Sequence, residues 1–305
     1  MKKNKEKITA ELKKALGAEK VKENVPLAPL TTFGIGGPAS WFIIAGNKKE
    51  ILEAIKASRK LEIPYFILGG GSNILIADQG FPGLVIRVKN ESSLVKGAKI
   101  TAGAGLSLAK LVESAPKNLL SGLECCVGIP GTVGGAVCSN AGAREEWIGQ
   151  KVAEVSIIDK KNKIVHLNNR DCKFSYRESR FKNNPQEIIL EVTFLLKKEK
   201  GEIIEQKIKS FLEARENQPK GKSAGSVFKN PPGHPAGKII EDMGLKGEKA
   251  GGAEISSKHA NFIVNKGGAT AADVLALIRL VQSRAREEKN IDLETEVVVI
   301  GEDRC

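Results

Sequence analysis

The sequence is short of histidine and of aromatic residues. Only His166, His234 and His259 occur, none near another along the chain, so a histidine-based metal centre is not expected. Aromatics make up 5% of the 305 residues. A dedicated nucleic-acid binder usually interleaves aromatics with its basic face. The net charge of +12 therefore points to anionic small molecules, or to solubility alone. Much of it sits in Lys2, Lys3, Lys5, Lys7, Lys13 and Lys14, which also fits a solvated helix. No apolar run approaches the ~20 residues that a membrane span needs, and residues 1–20 lack the apolar centre of a signal peptide. The five cysteines (Cys125, Cys126, Cys138, Cys172 and Cys305) are odd in number and show no C-x-x-C spacing. That argues against a disulfide frame or zinc site and for a reducing cytoplasm.

Two phosphate-loop motifs are missing as well. Gly221-Lys222-Ser223 looks like the end of a P-loop, but Glu216 stands where its first glycine is required. Gly103-Ala104-Gly105 follows a strand pattern and precedes a helical one, but Leu108 stands where a dinucleotide fingerprint needs its third glycine.

What is present suffices for a folded protein of two or three units: 41% hydrophobic and 28% charged residues. Residues 8–17 read as an amphipathic helix and Ser40–Ala45 as a strand. Asn47 with Glu50 resembles a capping box for a helix that Pro64 stops. Strand patterns follow at Tyr65–Leu68, Ile74–Ala77, Leu84–Val88 and Lys99–Ala102, then a helix from Leu106. Val152–Ile158 and Ile164–Leu167 read as a hairpin, and Glu187–Leu196 as a strong strand. A helix over Glu202–Glu216, ended by Pro219, leads to a Gly-, Pro-, Ser- and Lys-rich stretch at 218–237 that reads as a functional loop or hinge. Ala236–Met243 is a short helix, Asn261–Val264 a strand, Thr270 the cap of a long helix, and Glu296–Ile300 the last strand. Hairpins and glycine loops break the βαβ rhythm, so the expected class is α+β.

Two glycine loops stand out. Gly69-Gly70-Gly71-Ser72-Asn73 follows an apolar strand. It suits either a pyrophosphate cradle or a tight hairpin, because glycine lets a phosphate or another backbone approach closely. Some sixty residues later comes Gly128-Ile129-Pro130-Gly131-Thr132-Val133-Gly134-Gly135-Ala136. The pair resembles the FAD-binding fold of the vanillyl-alcohol-oxidase and p-cresol-methylhydroxylase type, which lays FAD between two α+β subdomains. The resemblance implies that Gly69, Gly70, Gly71, Ser72, Asn73, Gly128, Ile129, Pro130, Gly131, Thr132, Gly134, Gly135 and Ala136 contact the cofactor. No histidine lies in either loop, and the nearby Cys125, Cys126 and Cys138 read as small core residues, so non-covalent FAD is expected.

Further motifs narrow the resemblance. They are Thr32-Phe33-Gly34-Ile35-Gly36-Gly37, Ser175-Tyr176-Arg177-Glu178-Ser179, Gly225-Ser226-Val227-Phe228-Lys229-Asn230-Pro231 and Leu293-Glu294-Thr295-Glu296-Val297. In this order, from about residue 24 to 301, the set resembles the UDP-N-acetylenolpyruvoylglucosamine reductase family. The resemblance implies an NADPH-dependent reduction of an enolpyruvyl sugar nucleotide in peptidoglycan precursor synthesis, with both ligands using one place in turn. It implies Arg177, Ser226 and Glu296 as the catalytic set, with Ser226 giving the proton, and Tyr176, Arg215, Lys229 and Asn230 as substrate contacts. Taken alone, Arg177 also reads as a surface cation, Ser226 as a turn residue and Glu296 as a solvent-facing strand position. Arg215, Lys220 and Lys222 fit either a solvated basic loop or a diphosphate site. An FAD-dependent oxidase of the same fold, acting on an alcohol or hydroxy acid, would not need the Arg177, Ser226 and Glu296 set; in a non-enzymatic binder of nucleotides or RNA the glycine loops would be mere turns.

Only Tyr65 and Tyr176 are present, and the stretch from Leu196 to Arg215 has no room for the tyrosine-bearing insert of the family's longer class. The chain therefore resembles the shorter class. The expected organisation is an N-terminal helical segment (1–29), two FAD-binding subdomains (30–95 and 96–210) and a substrate domain (211–305) whose last strand returns toward the flavin. A cytoplasmic monomer with small-molecule ligands, no nucleic acid and no membrane span is expected.

Overall fold

The computed structural model describes residues 2–301; Cys305 and the side chains of Lys2 and Lys3 lie outside the described part. The chain packs as two units, one of residues 1–22, 41–70 and 83–216, the other of 23–40, 71–82 and 217–305. Residues 23–40 and 71–82 thus pack with the C-terminal part, whereas the sequence reading ran 30–95 together. Neither segment buries enough apolar surface alone, and each contributes core residues to the second unit: Phe33 and Ile35 from one, Leu75 from the other.

In the first unit a helix spans Lys2–Leu16, six residues earlier than the apolar spacing indicated, because lysine and glutamate continue a helix without needing a core. Its Leu12 is fully buried, and its Thr9 hydroxyl accepts a 2.8 Å bond from the Trp41 indole. It packs on the Lys48–Lys60 helix, whose buried side is Ile51, Ala54, Ile55 and Ser58. Asn47 caps that helix by accepting from the Glu50 N–H at 3.0 Å. The expected box is only half formed, since the Glu50 carboxylate turns to the Gly46 N–H instead. Strands Pro38–Ala45, Phe81–Val88 and Tyr65–Leu68 lie side by side, the last two parallel.

A five-stranded antiparallel sheet forms the rest of this unit, in the order Ile164–Asn168, Val152–Ile158, Ile188–Leu195, Lys99–Gly103, Ser93–Lys96. The predicted hairpin is there, its turn closed by Asp159 Oδ1 accepting from the N–H groups of Lys161 and Lys163. The short helix Val133–Cys138 packs on the Ile188–Leu195 and Lys99–Gly103 strands, which fixes the second glycine loop to the sheet. A helix over Gly201–Glu213 fills the stretch where an insert would have to lie. It ends well before Pro219, so that proline is not what terminates it.

The second unit is built around the Ala271–Lys289 helix. Thr270 and Asp273 form a full capping box, and the Asp78 carboxylate takes the N–H groups of Ala271 and Ala272 at 2.8 and 3.1 Å. The helix packs against a small antiparallel sheet of Lys249–Ala250, Ala253–Ile255 and Ile263–Asn265. Strand Ile74–Ile76 pairs in parallel with Val298–Ile300. Glu296 falls just before that last strand rather than inside it. Phe33, Leu75, Phe228, Ile240, Val274 and Val297 belong to one buried cluster. Among the described residues, no helix is long and apolar enough to cross a membrane, and no three metal-ligating side chains cluster.

Arg180 and Glu187 close the segment that follows the Ser175–Ser179 turn. The guanidinium meets the nearly buried carboxylate twice, at 2.7 and 2.9 Å. Those bonds hold Glu187 below the usual carboxylate value. A carboxyl with a lowered folded-state value stabilises the fold fully above its unfolded value of about 4.3, and that stabilisation is lost as pH falls through the folded value. Glu187→Gln should cost about 1–2 kcal/mol at pH 7, discounted because Arg180 is a third exposed. It should also flatten the decline in stability on acidification below about pH 4.3. Urea unfolding at pH 7 and near pH 4 measures both; an unchanged acid slope would refute the assignment.

Candidate active site

The first glycine loop straddles the two units: Gly69 and Gly70 belong to the first, Gly71 to Asn73 to the second. Within the first unit Gly70 meets the second glycine loop backbone to backbone. A Cβ on Gly70 would come 2.6 Å from the Gly131 Cα, and one on Gly69 would come 2.5 Å from the Thr132 hydroxyl. No side chain fits at either place, so the sequence there is dictated by close approach and not by turn chemistry alone. Thr132 caps the Val133–Cys138 helix, accepting from the Gly135 N–H. Gly70, Gly128, Pro130 and Gly135 are exposed, so the joined loops present a surface largely free of side chains. A group needing close backbone approach, such as the pyrophosphate of FAD, fits that description.

Next in this unit is the Ser175–Glu178 turn. Ser175 and Glu178 exchange both backbone hydrogen bonds at 3.1 Å, leaving Tyr176 and Arg177 at the tip. Arg177 sits at φ +55°, the left-handed region. Glycine or asparagine is preferred there, and an arginine costs about 1 kcal/mol. The turn is held from outside. Asn140, fully buried, donates to the Ser175 carbonyl at 2.7 Å while accepting from the Gly149 N–H. The Ser179 hydroxyl donates to the Cys138 carbonyl at 2.6 Å. The half-buried Arg177 side chain donates to the Gly142 carbonyl at 2.9 Å and lies over the exposed Tyr176 ring, 5.5 Å from its centre.

Arg215 lies over the second loop: a Cβ on Gly128 would come 3.1 Å from its Nε. Burial pulls its guanidinium down from the usual arginine value, and the like charge of Arg177 adds to the effect. Two cations held together in a partly dry place are stabilised by an anion between or beside them. The Cys126 thiol is close enough to feel both. It stays protonated, because the hydrogen bond with the Cys125 thiol and burial push it well up, and burial pushes Cys138 to about 11 and Cys172 to about 12. Cys126, Cys138 and Cys172 are therefore poor nucleophiles, which for Cys126 and Cys138 agrees with the core role expected of them.

The second unit gathers the remaining motifs. The Thr32–Gly37 loop folds onto Gly71: Thr32 N–H donates to the Gly71 carbonyl at 3.0 Å, and its hydroxyl to the Ser223 carbonyl at 2.7 Å. Ser226 follows Gly225, whose φ is +78°, and it bridges Phe262 in antiparallel fashion. The Val227 carbonyl accepts the Glu296 N–H at 2.7 Å, and Phe228 bridges Thr295. Two of the three residues singled out as catalytic, 70 positions apart, thus lie on neighbouring backbone segments. Asn73 stands behind Glu296, its amide donating to the Glu296 carbonyl at 3.2 Å. Among the expected substrate contacts, Lys229 is ion-paired to Glu294 at 2.6 Å, and Asn230 accepts from the Ala236 N–H at 2.9 Å.

Sequence reasoning missed Asn140 and Asn261. Asn261 is buried and grips the Phe228 backbone at both ends, accepting from its N–H at 2.9 Å and donating to its carbonyl at 2.8 Å. Neither asparagine stands in a motif that signals chemistry; only the long-range partner reveals the role.

Comparison with known proteins now bears on this arrangement. A family model described as UDP-N-acetylenolpyruvoylglucosamine reductase, C-terminal domain, matches residues 217–300, and one described as FAD binding domain matches 39–168. A UDP-N-acetylenolpyruvoylglucosamine reductase of Clostridium kluyveri is 42% identical over 98% of this chain and 99% of its own length. The one from Caldanaerobacter subterraneus is 40% identical over 97% of this chain and 98% of its own. The crystal structure of the Thermus caldophilus reductase superposes with a TM-score of 0.81 at 40% identity, over 92% of this chain and 98% of that one. Phl p 4.0202, a glucose dehydrogenase, shares the FAD-binding fold at TM-score 0.52 and 14% identity, over 64% of this chain and 44% of its own. The expected α+β fold, an FAD-binding part followed by a reductase C-terminal domain, is the fold observed. With identity above 40% along nearly its whole length, the chain belongs to the UDP-N-acetylenolpyruvoylglucosamine reductase family.

Proposed function

We propose that Arg177, Ser226 and Glu296 carry the family's reaction in this chain. The chain is an FAD-containing, NADPH-dependent oxidoreductase that reduces UDP-N-acetylglucosamine enolpyruvate to UDP-N-acetylmuramate. Held by the Gly69–Asn73 and Gly128–Ala136 loops, FAD would supply the hydride chemistry, taking a hydride from NADPH for the terminal carbon of the enolpyruvyl double bond. The protein's own work is to hold both ligands, to stabilise the negative charge that then builds beside the substrate carboxylate, and to deliver one proton to the adjacent carbon.

Arg177 suits the first charge-stabilising task. A guanidinium is a permanent cation with a fixed fork that grips a carboxylate at two points. Its strained backbone fits a role beyond packing, since the cost of φ +55° is borne without a glycine. Arg215, lowered by burial and then by the like charge of Arg177, takes a second anionic group, the diphosphate of the sugar nucleotide. Ser226 gives the proton and Glu296 orients the reacting group. The observation that carries this pair is the Glu296 N–H to Val227 carbonyl bond, which ties their backbones together at 2.7 Å. Lys229 and Asn230, engaged with Glu294 and Ala236, support the serine turn as well as facing substrate. The glycine loops hold the cofactor pyrophosphate without a covalent bond. NADPH and the sugar nucleotide use one place in turn, which gives ping-pong kinetics. We place the enzyme in the cytoplasm as a monomer.

Two outcomes are expected. In anaerobic stopped flow, Ser226→Ala should leave bleaching of the flavin bands by NADPH within about twofold of wild type and slow their recovery with the enolpyruvyl sugar nucleotide by about 10²–10⁴-fold. Equal loss of both phases would remove Ser226 from the proton-donor role. Gly70→Ala, which drives a Cβ into Gly131, should weaken FAD retention by about tenfold or more, read as loss of yellow colour on gel filtration and as a lower FAD affinity on titration. Full retention would show that the loops hold no cofactor.

A further inference from the structure

Ser226 lies in a part-buried segment whose backbone is held on both sides. On one side Val227 and Lys229 are tied to the 294–297 segment: the Glu296 N–H donates to the Val227 carbonyl, and the Lys229 N–H donates to the Glu294 carbonyl at 2.9 Å. On the other side Ser226 bridges Phe262, and the Val227 N–H donates to the Asn261 carbonyl at 2.8 Å. From there the Asn261 side chain takes over. Its Oδ1 accepts from the Phe228 N–H at 2.9 Å and its Nδ2 donates to the Phe228 carbonyl at 2.8 Å, so a side-chain amide does the work of a missing peptide group. The residue is 4% exposed, and its own N–H donates to His259 Nδ1 at 3.2 Å. Gly237 packs beside it, where a Cβ would come 3.6 Å from the Asn261 Cβ.

We infer that Asn261 is a positioning residue for proton delivery: by fixing the Phe228 peptide it sets where the Ser226 hydroxyl stands. The inference rests on Ser226 being the proton donor. Asparagine meets the demand in a way few residues do, because the grip needs a donor and an acceptor on one planar carbon, at short reach. Aspartate matches its shape but, when ionised, presents a second acceptor to the Phe228 carbonyl.

That difference supplies the test. Holoenzyme carrying Asn261→Asp is followed through both half-reactions across pH. Reduction by NADPH should stay within about twofold of wild type. The sugar-nucleotide half-reaction at pH 8 should slow by about 10–100-fold, as expected for a misplacement of the order of 1 Å, with KM changed less than about threefold. It should recover relative to wild type as the pH falls and the introduced carboxyl gains a donor proton. The ratio to wild type is used because other charged groups face this place: His259, held below its usual value by burial, with Lys246 and Glu241 near it, and the Lys229–Glu294 pair across the strand. A rise in the solvent isotope effect on the slowed half-reaction would also be expected. Asn261→Ala, with Tm recorded, is the second variant; it should show the same selective loss with no acid recovery. Equal loss of both half-reactions, or a lowered Tm with the two rates unchanged, would overturn the inference. Ser226→Ala run alongside separates the two claims. If it spares the sugar-nucleotide half-reaction, the proton-donor assignment fails. If it abolishes that half-reaction while both Asn261 variants match wild type at every pH, only the positioning inference fails.

Discussion

Where Gly70 meets Gly131, two peptide backbones touch with nothing between them. That contact constrains much of the first unit. It requires the Tyr65–Leu68 strand to end where the loop begins and the Val133–Cys138 helix to start where the other loop ends. The sheet beneath must hold that helix in place. A side chain at Gly70 would push the loops apart by more than any rotamer could absorb, because the obstacle is main chain. Backbone so exposed suits a ligand that carries its charge on a pyrophosphate and needs a close fit.

The strain at Arg177 and the repulsion between Arg177 and Arg215 belong together. Each is unfavourable in the protein alone, and each is countered by surroundings that are otherwise ordinary: a buried asparagine, a serine hydroxyl, a carbonyl at Gly142. On the proposed function, stability is given up here to keep two cations ready for an anionic ligand. In the second unit the corresponding device is not charge but rigidity, with Ser226 and Glu296 on segments cross-linked through Val227 and Phe228.

The fold class and the motif-bearing loops were legible because their residues have few alternatives. Clustered glycines, the Thr270 cap and the apolar runs of the five-stranded sheet each reflect a local rule. Element ends were less so: the Lys2–Leu16 helix extends through residues with no apolar signal, and Glu50 chose the Gly46 N–H over its expected box partner. The site was readable only where it coincided with a family motif. Arg177 carries no local mark of its left-handed backbone, and Asn140 and Asn261 owe their roles to partners 35 and 33 residues away. Nor does any local feature of residues 23–40 or 71–82 announce that they pack with residues beyond 217. Long-range pairing is a property of the whole chain, and a window of ten or twenty residues does not contain it.

The parallel pairing of Ile74–Ile76 with Val298–Ile300 has a consequence for biosynthesis. Asn73 and Glu296 are separated by 223 residues, so during translation the early strand emerges long before its partner exists. The first unit's five-stranded sheet draws only on residues 93–195 and is complete while the ribosome is still working. Phe33 and Leu75 must meanwhile wait in solvent or in transient company for the residues that will cover them. The second unit is therefore the last to assemble and the part most dependent on an uninterrupted chain. A ribosome stalled late would leave a nascent protein with its five-stranded sheet in place but its second core unmade, and with apolar surface for chaperones to guard.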